Sequence, residues 1–181
     1  LIAWWKGENN ANDSIGSNHG QFSNIYNNFA EGKVGSGFNF DNDQLYMPKS
    51  TTAFKTESIT IETWIKANTL PGITVDTLVR SSNRISLTNT NTGLKFGIYT
   101  QGKPLSEPMD SVLGSMIPIG EFTHVAGTYD SVTGDLSIYV DGQLSESKKF
   151  TAGNKISKGS DWKNIFAFSA IDPTSFDGII D

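Results

Sequence analysis

The chain has 181 residues, with 14 basic and 19 acidic side chains, a formal net charge of −5 and no cysteine. Such a length fits one domain. Without clustered Lys and Arg it lacks the electrostatic footprint of a nucleic-acid-binding protein. Without cysteine it has no disulfide scaffold, thiolate metal site or cysteine nucleophile. No apolar run approaches the roughly 20 residues that span a bilayer, so we expect no membrane insertion.

The composition is typical of a turn-rich β protein. Eighteen residues are glycine, Ser, Thr and Asn are frequent, and only 18% of the residues are charged. A helical chain would be dominated by Ala, Glu, Lys and Leu. We therefore expect scarce helix.

The first twenty residues join a tryptophan pair to a polar loop. Trp4 and Trp5 are predicted to lie in a strand, and the loop after them crowds Asn, Asp, Ser and Gly residues into ten positions. Oxygen ligands on a short polar loop suit a hard cation such as calcium. The same residue types also build turns by imitating backbone hydrogen bonds, and the residues alone leave both interpretations open.

Several segments show the two-residue period of a strand with one buried face. In residues 58–66, the isoleucines fall on one face and polar side chains on the other. Residues 38–40 and 165–169 are shorter apolar segments that we also predict as strands. Turn signals recur about every 8 to 12 residues, a spacing typical of a β-sandwich.

Two hairpins are predicted in the middle of the chain. Residues 85–90 and 94–100 flank a turn of Asn, Thr and Gly. The alternating residues of 123–130 and 136–140 flank the turn at 131–134, and an Asp-Gly pair then reverses the chain again. The least patterned region, 102–120, contains three prolines and is predicted to be a long loop.

Aromatic side chains can stack on the apolar faces of sugar rings, although each one more commonly fills a core. Trp162 lies in a polar stretch in which no alternation would bury it, and an exposed tryptophan calls for an explanation. Trp162 and Tyr99, beside Arg84, are therefore our candidate ligand-binding residues.

No catalytic constellation is recognisable. Glu57 and Glu62 are five residues apart, which places them on opposite faces of a strand, so a glycosidase pair is not indicated. The two histidines, His19 and His124, have no nucleophile at a motif spacing, and His124 lies in a predicted strand as a structural residue. We predict that the chain is not an enzyme.

The ordered motifs AWWKGENNANDSIGSNHG, GKVGSGFNFD, SITIETWIK, FTHVAGTYDSVTGDLSIYVDGQL and FDGIID resemble those of bacterial LamG-like, concanavalin A-like jelly-roll domains. The resemblance implies an all-β fold, a two-sheet antiparallel β-sandwich spanning residues 1–181 as one domain, with first and last strands adjacent. Family members continue past GIID into a further strand that begins with glutamate. We therefore expect a domain excised from a larger multidomain protein and lacking its last strand.

The resemblance also implies a structural calcium ion near the amino-terminal loop. In the family, the aspartates of the NDS and GIID segments meet at that ion, which here are Asp13 and Asp181. Gly16 and Asn18 are carried over as carbonyl ligands, with His19 as a further carbonyl candidate.

The expected function is a non-catalytic, extracellular recognition module, secreted or on the cell surface, that binds carbohydrate or acts in adhesion. Its expected partners are a glycan or a cell-surface protein, and neighbouring domains of the same polypeptide. The alternative is a structural or protein-interaction domain of a surface protein or filament. A diverged glycoside hydrolase is less favoured, because the ExDxxE pattern of laminarinase-like relatives is absent.

Overall fold

The computed structural model describes residues 1–23, 28–41, 43–47, 56–71, 75–81, 84–104, 106–157, 166–168 and 176–181. Within these residues, fourteen strands form two seven-stranded antiparallel sheets. No helix occurs in the described ranges, so none there is long and apolar enough to cross a bilayer. The all-β prediction is confirmed.

The first sheet has the order β1-β4-β13-β6-β7-β8-β9. Its strands are β1 (Gln21–Phe22), β4 (Leu45–Tyr46), β13 (Phe166–Phe168), β6 (Asp76–Ser81), β7 (Ile85–Thr90), β8 (Gly93–Ile98) and β9 (Asp110–Leu113).

The second sheet has the order β12-β11-β10-β5-β14-β3-β2. Its strands are β12 (Gln143–Lys149), β11 (Asp135–Val140), β10 (Thr123–Asp130), β5 (Ile59–Ala67), β14 (Gly178–Ile180), β3 (Ser36–Phe40) and β2 (Phe29–Glu31). The last strand thus lies between β5 and β3. The expected adjacency to the first strand is wrong, because β1 pairs with β4 in the other sheet.

The hydrophobic core lies between the two sheets. In β7 and β8, Ile85, Leu87, Leu94, Phe96 and Ile98 are fully buried and supply the inward face of the first sheet. The second sheet contributes the alternate, inward-facing residues of its strands, which include Phe38, Phe40, Ile65, Val125, Leu136 and Ile138. This period of two is the alternation read from the sequence.

Both predicted hairpins are confirmed. β7 and β8 pair from Ile85↔Ile98 to Thr90↔Gly93. β10 and β11 pair from Val125↔Val140 to Asp130↔Asp135, and β12 follows immediately after Asp141 and Gly142. These two turn residues have φ values of 48° and 75°, the left-handed conformation that a tight hairpin turn requires.

Two local predictions are wrong. Trp4 and Trp5 lie outside the described strands, and Trp5 forms an isolated bridge with Asp13. The region 102–120 is not wholly a loop, because β9 (Asp110–Leu113) pairs with β8 at the edge of the first sheet. The sequence of this short strand has little alternation of its own. It is a strand because it pairs with β8.

Candidate functional site

The outward face of the second sheet carries a row of hydroxyl groups. The register pairs Thr60 with Thr128, Thr128 with Ser137, and Ser137 with Ser147. Residues directly opposite in antiparallel strands point to the same face, so the four side chains form one line across β5, β10, β11 and β12. The Oγ atoms of Ser137 and Ser147 are 2.8 Å apart and share a hydrogen bond.

This row is the floor of a groove of about 610 Å³. The groove combines hydroxyl-bearing side chains with carboxylates and a few apolar surfaces. It is lined by Ser58, Ile59, Thr60, Thr128, Tyr129, Asp130, Thr133, Asp135, Ser137, Tyr139, Leu144 and Ser147.

Two carboxylates of the β10–β11 turn border one end of the groove. Asp130 accepts hydrogen bonds from the Val132 backbone N–H at 2.9 Å and the Thr133 hydroxyl at 3.2 Å. Asp135 lies 3.4 Å from the Lys149 ammonium. A hydrogen bond from Thr133, together with the positive charge of Lys149, lowers the pKa of Asp135. This carboxyl is therefore ionised at neutral pH and accepts hydrogen bonds only.

The other end of the groove is apolar. Tyr139 follows Ser137 on the outward face of β11, and Leu144 is its partner on β12. Ala126, which is itself buried, lies beside Tyr139 on β10. Tyr139 thus offers an aromatic surface beside the hydroxyl row.

The outward face continues beyond the groove in a second cluster. Trp64 on β5 is paired with His124 on β10, and their rings are 5.2 Å apart in an edge-to-face arrangement. Lys33 lies 4.7 Å above the Trp64 ring, and His124 Nε2 is 3.9 Å from the Glu62 carboxylate. His124 is therefore a packed strand residue, as predicted.

The predicted ligand-binding residues lie elsewhere. Arg84 and Tyr99 are neighbours at one end of the first sheet, where the Tyr99 N–H donates to the Arg84 carbonyl at 2.8 Å. The Tyr99 hydroxyl donates to the Glu107 carbonyl at 2.8 Å, and neither residue lines the groove. Trp162 falls outside the described residues, so its role stays a prediction.

In the amino-terminal loop, the Asp13 carboxylate is surrounded by N–H donors. One oxygen accepts from Trp4 N at 3.1 Å and Ile15 N at 3.0 Å, and the other accepts from Asn18 N at 3.2 Å and Asn18 Nδ2 at 3.1 Å. Burial raises the pKa of Asp13, but the hydrogen bonds from Ile15, Trp4, Gly16 and Asn18 outweigh that effect and lower the pKa to about 2.

In this arrangement N–H groups occupy the lone pairs of the Asp13 carboxylate that a calcium ion would use. The predicted carbonyl ligand of Asn18 accepts instead from the Trp5 indole at 2.8 Å, and His19 Nδ1 accepts from the Asp13 N–H at 3.2 Å. Asp13, Gly16 and Asn18 are thus brought together as a hydrogen-bonded loop.

Asp181 has a different set of partners. Its carboxylate accepts from the Val34 N–H at 2.8 Å, in the turn between β2 and β3. Its backbone pairs with Trp64, with N–H···O distances of 2.8 and 2.9 Å. In the described part of the chain, no three acidic, histidine or cysteine side chains are grouped to hold a metal. Calcium at Asp13 and Asp181 stays a prediction.

The two glutamates considered for glycoside hydrolysis have separate ion-pair partners. Glu57 precedes β5 and pairs with Lys155. Glu62 lies on the outward face of β5, exposed, with His124 as its neighbour. Neither lines the groove.

The sequence profile of the concanavalin A-like lectin/glucanases superfamily matches residues 39–181. A search of curated protein sequences finds no relative. Among solved structures, one in complex with arabinotriose is 18% identical with a TM-score of 0.72: domain 4 of AbnA, a GH43 extracellular arabinanase from Geobacillus stearothermophilus. That match covers 100% of this chain and 89% of the other.

Two further structures share the fold. A putative carbohydrate binding protein from Bacteroides ovatus is 19% identical with a TM-score of 0.59, covering 79% of this chain and 40% of the other. The CBM40 domain of a Ruminococcus gnavus sialidase, bound to α2,3-sialyllactose, is 16% identical with a TM-score of 0.54, covering 69% and 72%.

Proposed function

We propose that this chain, which belongs to the concanavalin A-like lectin/glucanases superfamily, is a non-catalytic module that binds a neutral oligosaccharide in the groove of its second sheet. The observation that carries the proposal is the combination of an aligned hydroxyl row with Tyr139 on one side of it and carboxylates on the other. Sugars present hydroxyl groups at their edges and apolar C–H surfaces on their faces, so this combination matches both.

The charge of the groove favours an uncharged sugar. Asp130 and Asp135 accept hydrogen bonds from sugar hydroxyls, and the charge-assisted bonds so formed are the stronger ones. The same two carboxylates repel an acidic sugar such as sialic acid. Lys149 offsets part of this charge at Asp135 but is itself mostly exposed.

The structural neighbours support carbohydrate as the ligand class. One is a complex with arabinotriose, and another is bound to sialyllactose. The negative charge of this groove favours a neutral sugar such as arabinotriose over an acidic one such as sialyllactose.

The groove carboxylates also support binding without catalysis. A glycosidase needs one carboxylic acid whose pKa is raised, so that it can protonate the leaving group. The pKa of Asp135 is lowered instead, and both oxygens of Asp130 accept hydrogen bonds from its own turn. Neither side chain is prepared to donate a proton.

Isothermal titration with arabinotriose, other neutral oligosaccharides and sialyllactose tests the proposal. We expect binding of a neutral sugar and none of sialyllactose. Tyr139→Ala should weaken binding by about two- to tenfold, since stacking on an aromatic ring is worth about 0.5–1.5 kcal/mol. Tyr99→Ala is the matched control, and it also tests the other candidate surface: loss of binding in that variant, with Tyr139→Ala unaffected, would move the site to Tyr99.

Absence of binding to every sugar, in a folded protein, would favour the alternative of a structural or protein-interaction domain. Sugar release that depends on Glu62 would instead restore the hydrolase hypothesis. The extracellular setting implied by the family stays a prediction.

A further inference from the structure

A second polar cluster lies between the two sheets, at one end of the sandwich. Asp76 is the first residue of β6 and stands directly opposite Asn89 of β7. Asn89 continues the inward alternation of Ile85 and Leu87, so it points into the interior. Across from them, Asp177 immediately precedes β14 in the other sheet.

The Asp177 carboxylate is positioned by Asn68, the residue that follows β5. Asn68 Nδ2 donates to Asp177 Oδ1 at 2.8 Å, and the Asn68 N–H donates to the Asp177 carbonyl at 3.0 Å. Asp76 is 7% exposed, and burial followed by the negative charge of Asp177 raises its pKa to about 6. The charge of Asp177 therefore acts on Asp76 from the other sheet.

Within the described ranges, the one hydrogen bond to either carboxylate is the one that Asn68 donates to Asp177. None of the ion pairs found there involves Asp76 or Asp177, and no donor reaches the Asp76 carboxylate there. The contrast with Asp13 is direct, because the carboxylate of Asp13 accepts four hydrogen bonds.

The side chain of Asn89 supplies a second, independent observation. It is 2% exposed, and its Nδ2 atom has no hydrogen-bond partner in the described structure. Its position opposite Asp76 directs it toward the carboxylates, since opposed residues have Cβ atoms about 4.5–5.5 Å apart. A half-turn of the carboxamide presents its oxygen there instead of its nitrogen. A buried amide without a partner, opposite a buried carboxylate that accepts no hydrogen bond in the described ranges, marks a place for a cation.

We propose that Asp76, Asp177 and Asn89 bind a divalent cation, for which Ca²⁺ is the best match, and that the ion clasps the two sheets together at this end. The donors are carboxylate and amide oxygens, without imidazole or thiolate, which is the ligand chemistry of calcium and not of zinc. Asn68 is a positioning residue, because its amide is already used to hold Asp177.

The proposed ion site is independent of the sugar groove. The groove includes Thr60, near the start of β5, whereas Asn68 follows its end. Eight residues of strand separate these positions by roughly 26 Å, at about 3.3 Å per residue. Removal of the ion therefore need not alter the groove, and either proposal can fail without the other.

The test is a calcium titration of protein stripped with chelator, measured by thermal denaturation and by isothermal titration. We expect the melting temperature to rise by about 5–10 °C at a hundredfold excess over Kd. The titration should extend to about 10 mM, because extracellular calcium modules bind as weakly as 10⁻⁴–10⁻³ M.

The variants have distinct signatures. Asp76→Asn should raise the melting temperature of the calcium-free protein, by removing charge repulsion, and should abolish the response to calcium. Asn89→Leu tests the amide ligand and should also abolish the response. Asp13→Asn is the control: it should lower the melting temperature and keep the response. The proposal is overturned if the wild type shows no response, or if Asp13→Asn loses it while Asp76→Asn keeps it.

Discussion

Replacing Asp13 with asparagine should destabilise the fold by about 2–3 kcal/mol at neutral pH. Its carboxylate accepts two hydrogen bonds at each oxygen, from Trp4 and Ile15 at one and from both nitrogens of Asn18 at the other. Asparagine keeps one oxygen and places an NH₂ group against the donors at the second. A buried donor left without a partner costs about 1–3 kcal/mol.

The pKa of Asp13 gives a second route to this magnitude. The pKa falls from 3.8 to about 2 on folding, and one pH unit corresponds to about 1.4 kcal/mol, so ionised Asp13 contributes about 2 kcal/mol. Because the folded pKa is the lower one, this stabilisation is complete above the unfolded pKa. It is lost progressively as the pH falls from about 4 through about 2.

Urea denaturation followed by tryptophan fluorescence measures both effects. The free energy of unfolding of Asp13→Asn should fall below that of the wild type at neutral pH, and the gap should narrow toward about pH 2. Glu121→Gln, an exposed carboxylate on the β9–β10 connection, is the matched control and should have little effect at either pH. Equal stability of Asp13→Asn and the wild type at neutral pH, or a gap that does not change with pH, would refute the reasoning.

Four further substitutions test the packing and the turns. Gly127→Ala should cost about 3 kcal/mol in urea denaturation, because its Cβ would lie 2.5 Å from the Phe96 ring; adding Phe96→Leu should recover part of that loss. Leu87→Ala, at a fully buried position, should cost about 2–5 kcal/mol in the same assay. Gly142→Ala should cost only about 1 kcal/mol, because φ is 75° but the added Cβ would have no atom within 4 Å outside its chain neighbours. This substitution should leave sugar binding unchanged. Trp5→Phe removes the indole donor to Asn18 and should cost about 1 kcal/mol by thermal denaturation.

The strands that the sequence predicts are those whose burial alternates within one segment. The region of β10 (Thr123–Asp130) is an example, because Val125 and Tyr129 are buried in the core whereas His124 and Thr128 are only partly buried. The edge strand β9 (Asp110–Leu113) has little such alternation and owes its conformation to pairing with β8. The local sequence pattern cannot predict β9, because its strand conformation depends on the pairing with β8.

The groove could not be predicted because it depends on register. Thr60, Thr128 and Ser137 are far apart in sequence and meet only when β5, β10 and β11 pair as they do. Each residue alone is an ordinary outward-facing strand position. The Asp76–Asp177 cluster could not be predicted for the same reason. Asp76 begins β6 in the first sheet, and Asp177 immediately precedes β14 in the second. The residues carried over from the family resemblance, by contrast, lie in one continuous loop apart from Asp181.

The composition of the groove is itself an argument that the second sheet presents a binding surface. The core fixes only the inward positions of β5, β10 and β11, so the outward ones are free of packing demands. Thr is common in strands because it is β-branched, but Ser has no such preference, and the groove row has serine at both Ser137 and Ser147. A face selected only for solubility would carry Lys and Glu, as charged surfaces do. An uncharged hydroxyl row, next to an aromatic ring, fits a ligand that is itself neutral and rich in hydroxyl groups.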